Sequence, residues 1–196
     1  MKALLIVDIQ NDFLPGGALE VPNGDQIIET VNSLQSKYDL VVATQDWHPI
    51  AHKSFASQHV EHNIFDQINL NGLEQVLWPD HCVQGTRGAE LADSLDQTRV
   101  EAVFRKGVEP LIDSYSGFYD NGRRKNAGLH GYLQDRSIAE VHICGLAADF
   151  CVHFTAMDAL SLGYRTVILS KATKPINREE YMDKKQTFIH AGGLFF

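Results

Sequence analysis

The chain has 196 residues, 44 % of them hydrophobic and 21 % charged, with 17 Lys+Arg against 25 Asp+Glu for a formal charge of -8. That composition supports one globular core without disulfides. An acidic surface repels phosphate backbones and argues against nucleic acid as a partner, leaving a small molecule in a pocket as the expected cargo. Cys82, Cys144 and Cys151 are an odd number of thiols with no framework spacing, as in a reducing compartment. The amino terminus reaches Asp8 too soon for a signal-peptide core, and no later stretch is long and apolar enough to cross a bilayer. The expectation is a cytoplasmic protein away from membranes, with a homo-oligomer left open.

Ala3 to Ile9 is a continuous apolar run, the pattern of a strand buried on both faces. Gln26 to Lys37 carries Ile27, Ile28, Val31 and Leu34 at helical spacing. A second strand is expected at Leu40 to Thr44, a third at Val100 to Phe104, a fourth at Val141 to Cys144 and a fifth at Thr166 to Leu169. Asp149 to Leu162 reads as a helix closed by Gly163. Asn177 with Glu180 reads as a capping box opening a last helix, and Gly192 to Phe196 as a short final strand. Between residues 46 and 96 lies a long segment rich in His, Asn and Pro, of the kind that more often serves function than connection. Alternating strands and helices predict an α/β fold: three αβα layers around a mainly parallel sheet of about six strands, in a single domain over 1–196.

In such a sheet, ligands bind beyond the carboxyl ends of the strands. Asp8 falls near the end of the first strand, Asp46 just after the second, Lys106 just after the third, and Cys151 after the fourth near a helix start. Each has a structural reading when taken singly: a strand-end cap, a loop charge, a core thiol. Their shared edge points to chemistry. The helix's positive end would favour a thiolate at Cys151, and free N–H groups in the Gly145-Leu146-Ala147-Ala148 turn would receive a developing oxyanion. Asp8 would accept the thiol proton, and Lys106 would stabilise thiolate and oxyanion by charge. Cys144 lies in an apolar strand and Cys82 adjoins His81, so both read as structural.

Asp46 and His48 project to one side of an extended chain, His52 follows a turn at Pro49, and His81 lies further along the same segment. Three imidazoles and a carboxylate suit zinc, manganese or iron, although His59 and His62 lie close enough to leave the ligand set open.

Ordered motifs run from the first strand to about Leu169. They are Asp8-Ile9-Gln10-Asn11-Asp12-Phe13, Gly16-Gly17-Ala18-Leu19, Thr44-Gln45-Asp46-Trp47-His48-Pro49, His52-Lys53-Ser54-Phe55 and Trp78-Pro79-Asp80-His81-Cys82-Val83-Gln84-Gly85. Lys106-Gly107, Asp113-Ser114-Tyr115-Ser116-Gly117-Phe118, Gly145-Leu146-Ala147 and Asp149-Phe150-Cys151-Val152 follow. Together they resemble the nicotinamidases, or pyrazinamidases, of the isochorismatase-like cysteine hydrolases, whose Rossmann-type topology the resemblance also implies. It implies Asp8 as general base, Lys106 as electrostatic helper and Cys151 as nucleophile. The ligands of one divalent ion would be Asp46, His48, His52 and His81. Phe13 and Trp78 would sandwich a pyridine ring, with Tyr115 and Leu146 lining the same pocket. A cis peptide is implied at Leu146-Ala147, with the Ala147 and Cys151 amides as oxyanion hole. The implied reaction turns nicotinamide into nicotinate and ammonia through a thioester, in NAD salvage, with pyrazinamide as a further substrate. Departures from the family pattern stand at Ala148, where threonine is common, at Phe150, usually Tyr or His, and across Lys171 to Lys174, usually more acidic. Two other readings are an amidase of the superfamily acting on a carbamoyl or linear amide, and a non-catalytic metal-binding domain.

Overall fold

The computed structural model describes residues 1–196. Six strands form one parallel sheet: β1 (Lys2–Val7), β2 (Leu40–Asp46), β5 (Ala102–Lys106), β6 (Glu140–Leu146), β7 (Arg165–Lys174) and β8 (Leu194–Phe195), in the order β5-β2-β1-β6-β7-β8. Every pairing between these neighbours is parallel. Side chains alternate across the pleat and divide the core in two. Leu4 and Ile6 of β1, Val41 and Ala43 of β2, and Cys144 and Leu146 of β6 face one cluster, packed with Ile28 and Val31 of α1 (Ile28–Leu34). Ala3, Leu5, Val7, Leu40, Val42, Val141 and Ile143 face the other. That second cluster is covered by α2 (Leu129–Asp135), α3 (Cys151–Ser161) and α4 (Arg178–His190), which contribute Leu133, Val152, Ala156 and Phe188. The expected three layers are therefore present. No helix is long and apolar enough to cross a membrane.

Local differences from the sequence reading have physical causes. The expected Gln26–Lys37 helix is α-helical only over α1, with 3-10 turns at Gly24–Ile27 and Gln35–Lys37. Asp46 and Lys106 are the last residues of their strands and pair in register, so their side chains are held by the ladder and not by a loop. Inside the irregular 46–96 segment, β3 (Gln67–Leu70) and β4 (Leu73–Val76) form a hairpin whose Asn71-Gly72 turn has positive φ at both residues, 53° and 87°. An Asn-Gly pair between two short strands is the signal that would have found it. Helix α2 is seven residues with a glycine inside, too short to show a period.

Helix α3 starts at Cys151, two residues later than expected, because Asp149 is used elsewhere. Its buried carboxylate accepts the Ile176 and Asn177 N–H groups at 3.0 and 2.7 Å. The capping box at α4 is consequently half made. Asn177 accepts from the Glu179 and Glu180 amides, but its own N–H goes to Asp149, and Glu180 pairs with Lys184 instead.

Candidate active site

The strand order sets the site. β5, β2, β1 and β6 are adjacent, so Lys106, Asp46, Asp8 and the turn before Cys151 leave the sheet side by side at one edge. The carboxylates of Asp8 and Asp46 and the Cys151 sulfur have atoms within 4.8 Å of one another, all buried. Lys106 Nζ sits among them. It donates to Asp46 Oδ1 at 2.7 Å, to the Ser114 carbonyl at 3.0 Å and to Cys151 Sγ at 3.3 Å. Asp8 Oδ2 lies 2.9 Å from the ammonium as an ion-pair partner, while Oδ1 accepts from the Thr44 hydroxyl at 2.6 Å. One carboxylate oxygen is anchored and the other is free to take a proton.

Burial governs the titration of the cluster. It raises Asp8 above the usual carboxylate range, with Lys106 opposing, and it raises the Cys151 thiol well above its ordinary value, again against Lys106. Burial also pushes Asp46 upward, but Lys106 and His48 outweigh it and hold that carboxyl well below its usual range. For Lys106, burial favours the neutral amine, and Asp46 and Asp8 overcome it and keep the ammonium. The depressed thiol pKa expected at a helix start is thus not the resting condition: desolvation outweighs the Lys106 charge, and Cys151 rests as a thiol beside a base. The amides of Ala147 and Cys151 donate to no other group, whereas Ala148, Phe150 and Val152 are all engaged. Leu146-Ala147 is cis, as anticipated.

Beside this cluster stand Asp46, His48 and His81, whose ligand atoms lie within 4.8 Å of one another. His48 Nε2 is 3.4 Å and His81 Nε2 is 3.7 Å from Asp46 Oδ2. Their Nδ1 atoms lie 2.9 and 2.8 Å from the carbonyls of Gly107 and Pro79, which can only accept. Nδ1 is then the protonated nitrogen, and both Nε2 lone pairs point where a cation would sit. Gly107 makes that approach possible: with φ of +66°, a Cβ there would come within 2.3 Å of the His48 ring. His52 is placed differently. It groups with His48 and Asp113, its Nδ1 meets Ser54 Oγ at 2.7 Å, and its buried Nε2 has no partner. Burial lowers His52 to about 4, so it is a neutral ring. The donor set fits a divalent ion on two counts: an orphaned buried imidazole nitrogen, and two buried carboxylates against one ammonium, a net negative charge that a cation would balance. His59 and His62 are apart from it, facing each other at 6.1 Å.

Aromatic side chains close the front. Trp78, Tyr115 and Phe150 pack edge to face with centroids 4.8 to 6.2 Å apart, and Phe13 lies 5.6 Å from the His81 ring. Leu146 is buried in the same core cluster as Phe13 and Trp78. Trp78 and Phe150 line a cleft of about 500 Å³ with Phe65, Ile176 and Arg178, and Tyr115 lines another of about 440 Å³ on its other side. Neither reaches Cys151, which is 6 % exposed.

Sequence reasoning missed several contributors. Phe150 stood out only as a departure before the nucleophile. Asp113 and Thr44 lie inside quoted motifs with no separate signal. Gln10 clamps Asp46, accepting its N–H at 2.8 Å and donating to its carbonyl at 2.8 Å. Its position two residues after Asp8, on the same side of an extended chain, was the available hint.

A family model for the isochorismatase domain matches residues 2–194. The chain is 50 % identical over 181 residues to the nicotinamidase of Escherichia coli, covering 90 % of this chain and 84 % of that one. Among solved structures it superposes on an Acinetobacter baumanii nicotinamidase/pyrazinamidase with a TM-score of 0.97 at 42 % identity, covering 100 % of this chain and 95 % of that one. It superposes on a Pyrococcus horikoshii pyrazinamidase in complex with zinc with a TM-score of 0.81 at 37 % identity, covering 100 % and 98 %.

The geometry predicts that His48→Ala, which removes the ring shared by both clusters, loses bound metal after dialysis, while His52→Ala keeps a larger share. Elemental analysis of the purified variants checks this, and stoichiometric metal in His48→Ala would contradict the assignment.

Proposed function

Because the chain belongs to the isochorismatase family, we propose that it is an amidase that hydrolyses nicotinamide to nicotinate and ammonia, with Cys151 as nucleophile. The observation that carries this reading is the buried contact of Cys151, Asp8 and Lys106 around one ammonium. The similarity to the Escherichia coli nicotinamidase supports the substrate. The ring of aromatic side chains favours a flat heteroaromatic carboxamide over a linear amide, and pyrazinamide, of the same shape, is a further substrate. The reaction returns nicotinamide to NAD synthesis.

The steps follow from the protonation states. Asp8 Oδ2 takes the proton of the Cys151 thiol as sulfur attacks the carboxamide carbon. The carbonyl oxygen becomes an oxyanion on the free Ala147 and Cys151 amides, which are fixed before reaction and need no reorganisation. Asp8 returns the proton to the amide nitrogen, the C–N bond breaks and ammonia leaves a thioester on Sγ. A water then gives its proton to Asp8 and its oxygen to the acyl carbon. Collapse of that adduct expels the sulfur, which recovers the proton from Asp8. Lys106 moves no proton; its charge holds Asp8 as a carboxylate against burial and stabilises sulfur while it is negative. Asp46, His48 and His81, with His52 beside them, would hold a zinc, manganese or iron ion, which when bound supplies a Lewis-acid anchor for the ring nitrogen.

Purified, reduced, metal-loaded protein is expected to release ammonia from nicotinamide, and Cys151→Ala to lose at least about a thousandfold in kcat, within the range for removal of a catalytic nucleophile, while its melting temperature stays near that of the parent. No ammonia from the parent protein would sink the proposal. The reactive form carries Asp8 as carboxylate and Cys151 as thiol. Burial raises Asp8, so kcat/KM should fall on acidification at a higher pH than an exposed aspartate would set. Burial also raises Cys151, so no alkaline loss should occur near the ordinary thiol pKa of about 8.5. A pH profile with a limb at that ordinary thiol value would contradict the assignment.

A further inference from the structure

We infer that Asp12 is a positioning residue for the metal centre, acting through the Cys82 peptide on both His81 and His48. The inference rests on the reading of Asp46, His48 and His81 as cation ligands. Asp12 touches neither imidazole. Its Oδ2 accepts the Cys82 N–H at 2.7 Å, and Oδ1 accepts the Ala18 N–H at 3.3 Å. Cys82 is the residue after His81 and has φ of +46°, a left-handed conformation that a side chain beyond glycine adopts at a cost and keeps only when its peptide is held. The same residue offers its carbonyl to the His48 N–H at 3.0 Å. One residue thus links both histidines, its N–H in the peptide that follows His81 and its carbonyl in the next peptide, and Asp12 fixes the N–H.

The carboxylate is itself confined. A Cβ added at Gly88 would lie 2.1 Å from Asp12 Oδ2, so the 3-10 turn Arg87–Ala89 packs directly on it. Phe13, next in sequence, carries the ring that lies 5.6 Å from His81. Displacing Asp12 would move an imidazole ligand and the aromatic wall beside it together. Gln10 plays the matching part on the other ligand segment, with its amide clamped on the Asp46 peptide. The chain that leaves Asp8 therefore holds the proton acceptor and both ligand segments at fixed separation, and orienting partners of this kind are worth about 10–100-fold in metal affinity.

Zinc affinity of the full-length protein, measured by chelator competition, tests the role alongside kcat, KM and the melting temperature of the metal-free form. Asp12→Ala is expected to weaken zinc about 10–100-fold and to raise KM by more than it lowers kcat. Asp12→Asn, which keeps one oxygen for the Cys82 N–H, should recover part of the affinity. Should Asp12→Ala not fold, Gly88→Ala addresses the same contact by pushing a methyl into the carboxylate, and should weaken zinc in the same direction. Wild-type affinity in Asp12→Ala or Gly88→Ala, with His48→Ala losing zinc, overturns the role of Asp12 and leaves the ligand assignment standing. Zinc retained by His48→Ala overturns both. A drop in the metal-free melting temperature with unchanged zinc affinity marks a purely structural contact and overturns the inference.

Discussion

Everything at this site is arranged around one buried ammonium. Lys106 Nζ holds Asp8 by charge and Asp46, Ser114 and Cys151 by hydrogen bonds, in a region that is 2 % exposed at the lysine and 0 % at Asp8. In such surroundings an isolated charge of either sign would be neutralised by a shift in its pKa. The cluster avoids this because strands β5, β2, β1 and β6 are neighbours, which brings one cation and two anions to the same depth. Asp8, ion-paired to the ammonium and beside the Cys151 sulfur, is then the carboxylate best placed to take the thiol proton in the proposed reaction.

The remaining negative charge explains why the imidazoles stand where they do. Asp8 and Asp46 exceed one ammonium by one charge, and Asp46 is shared with His48 and His81 while buried Asp113 stands beside His48 and His52. The Asp8–Lys106–Cys151 cluster and the histidine cluster are therefore one electrostatic unit joined through Asp46. The aromatic rings of Trp78, Tyr115 and Phe150 cover the unit and keep its dielectric low, which strengthens each of these interactions and also raises the resting thiol pKa.

Much of this was legible in the sequence. Continuous apolar runs mark β1, β2 and β6, and parallel topology alone puts Asp8, Asp46, Lys106 and Cys151 at one edge. The three-layer fold followed from strand and helix alternation. What was not legible depended on tertiary contacts that leave no local pattern. Asp149 looked like the start of a helix because its role, capping the chain before α4, involves residues 27 and 28 positions away. Helix α2 was too short to declare a period. The Cys151 shift runs opposite to the expectation because a helix-start position is visible in sequence whereas complete desolvation is not. The placement of His52 beside Asp113 likewise depends on a loop whose path the spacing of histidines does not determine.

The central claim is that sulfur on Cys151 carries the acyl group between two proton transfers through Asp8. Acid-quenching the protein during turnover of nicotinamide, followed by peptide mass spectrometry, tests it most directly. The account predicts a pyridine-3-carbonyl group on the peptide bearing Cys151, absent from those bearing Cys82 and Cys144 and lost on mild base treatment as a thioester would be. An acyl group on a different residue would contradict it, as would rapid turnover by a Cys151→Ala protein that forms no adduct.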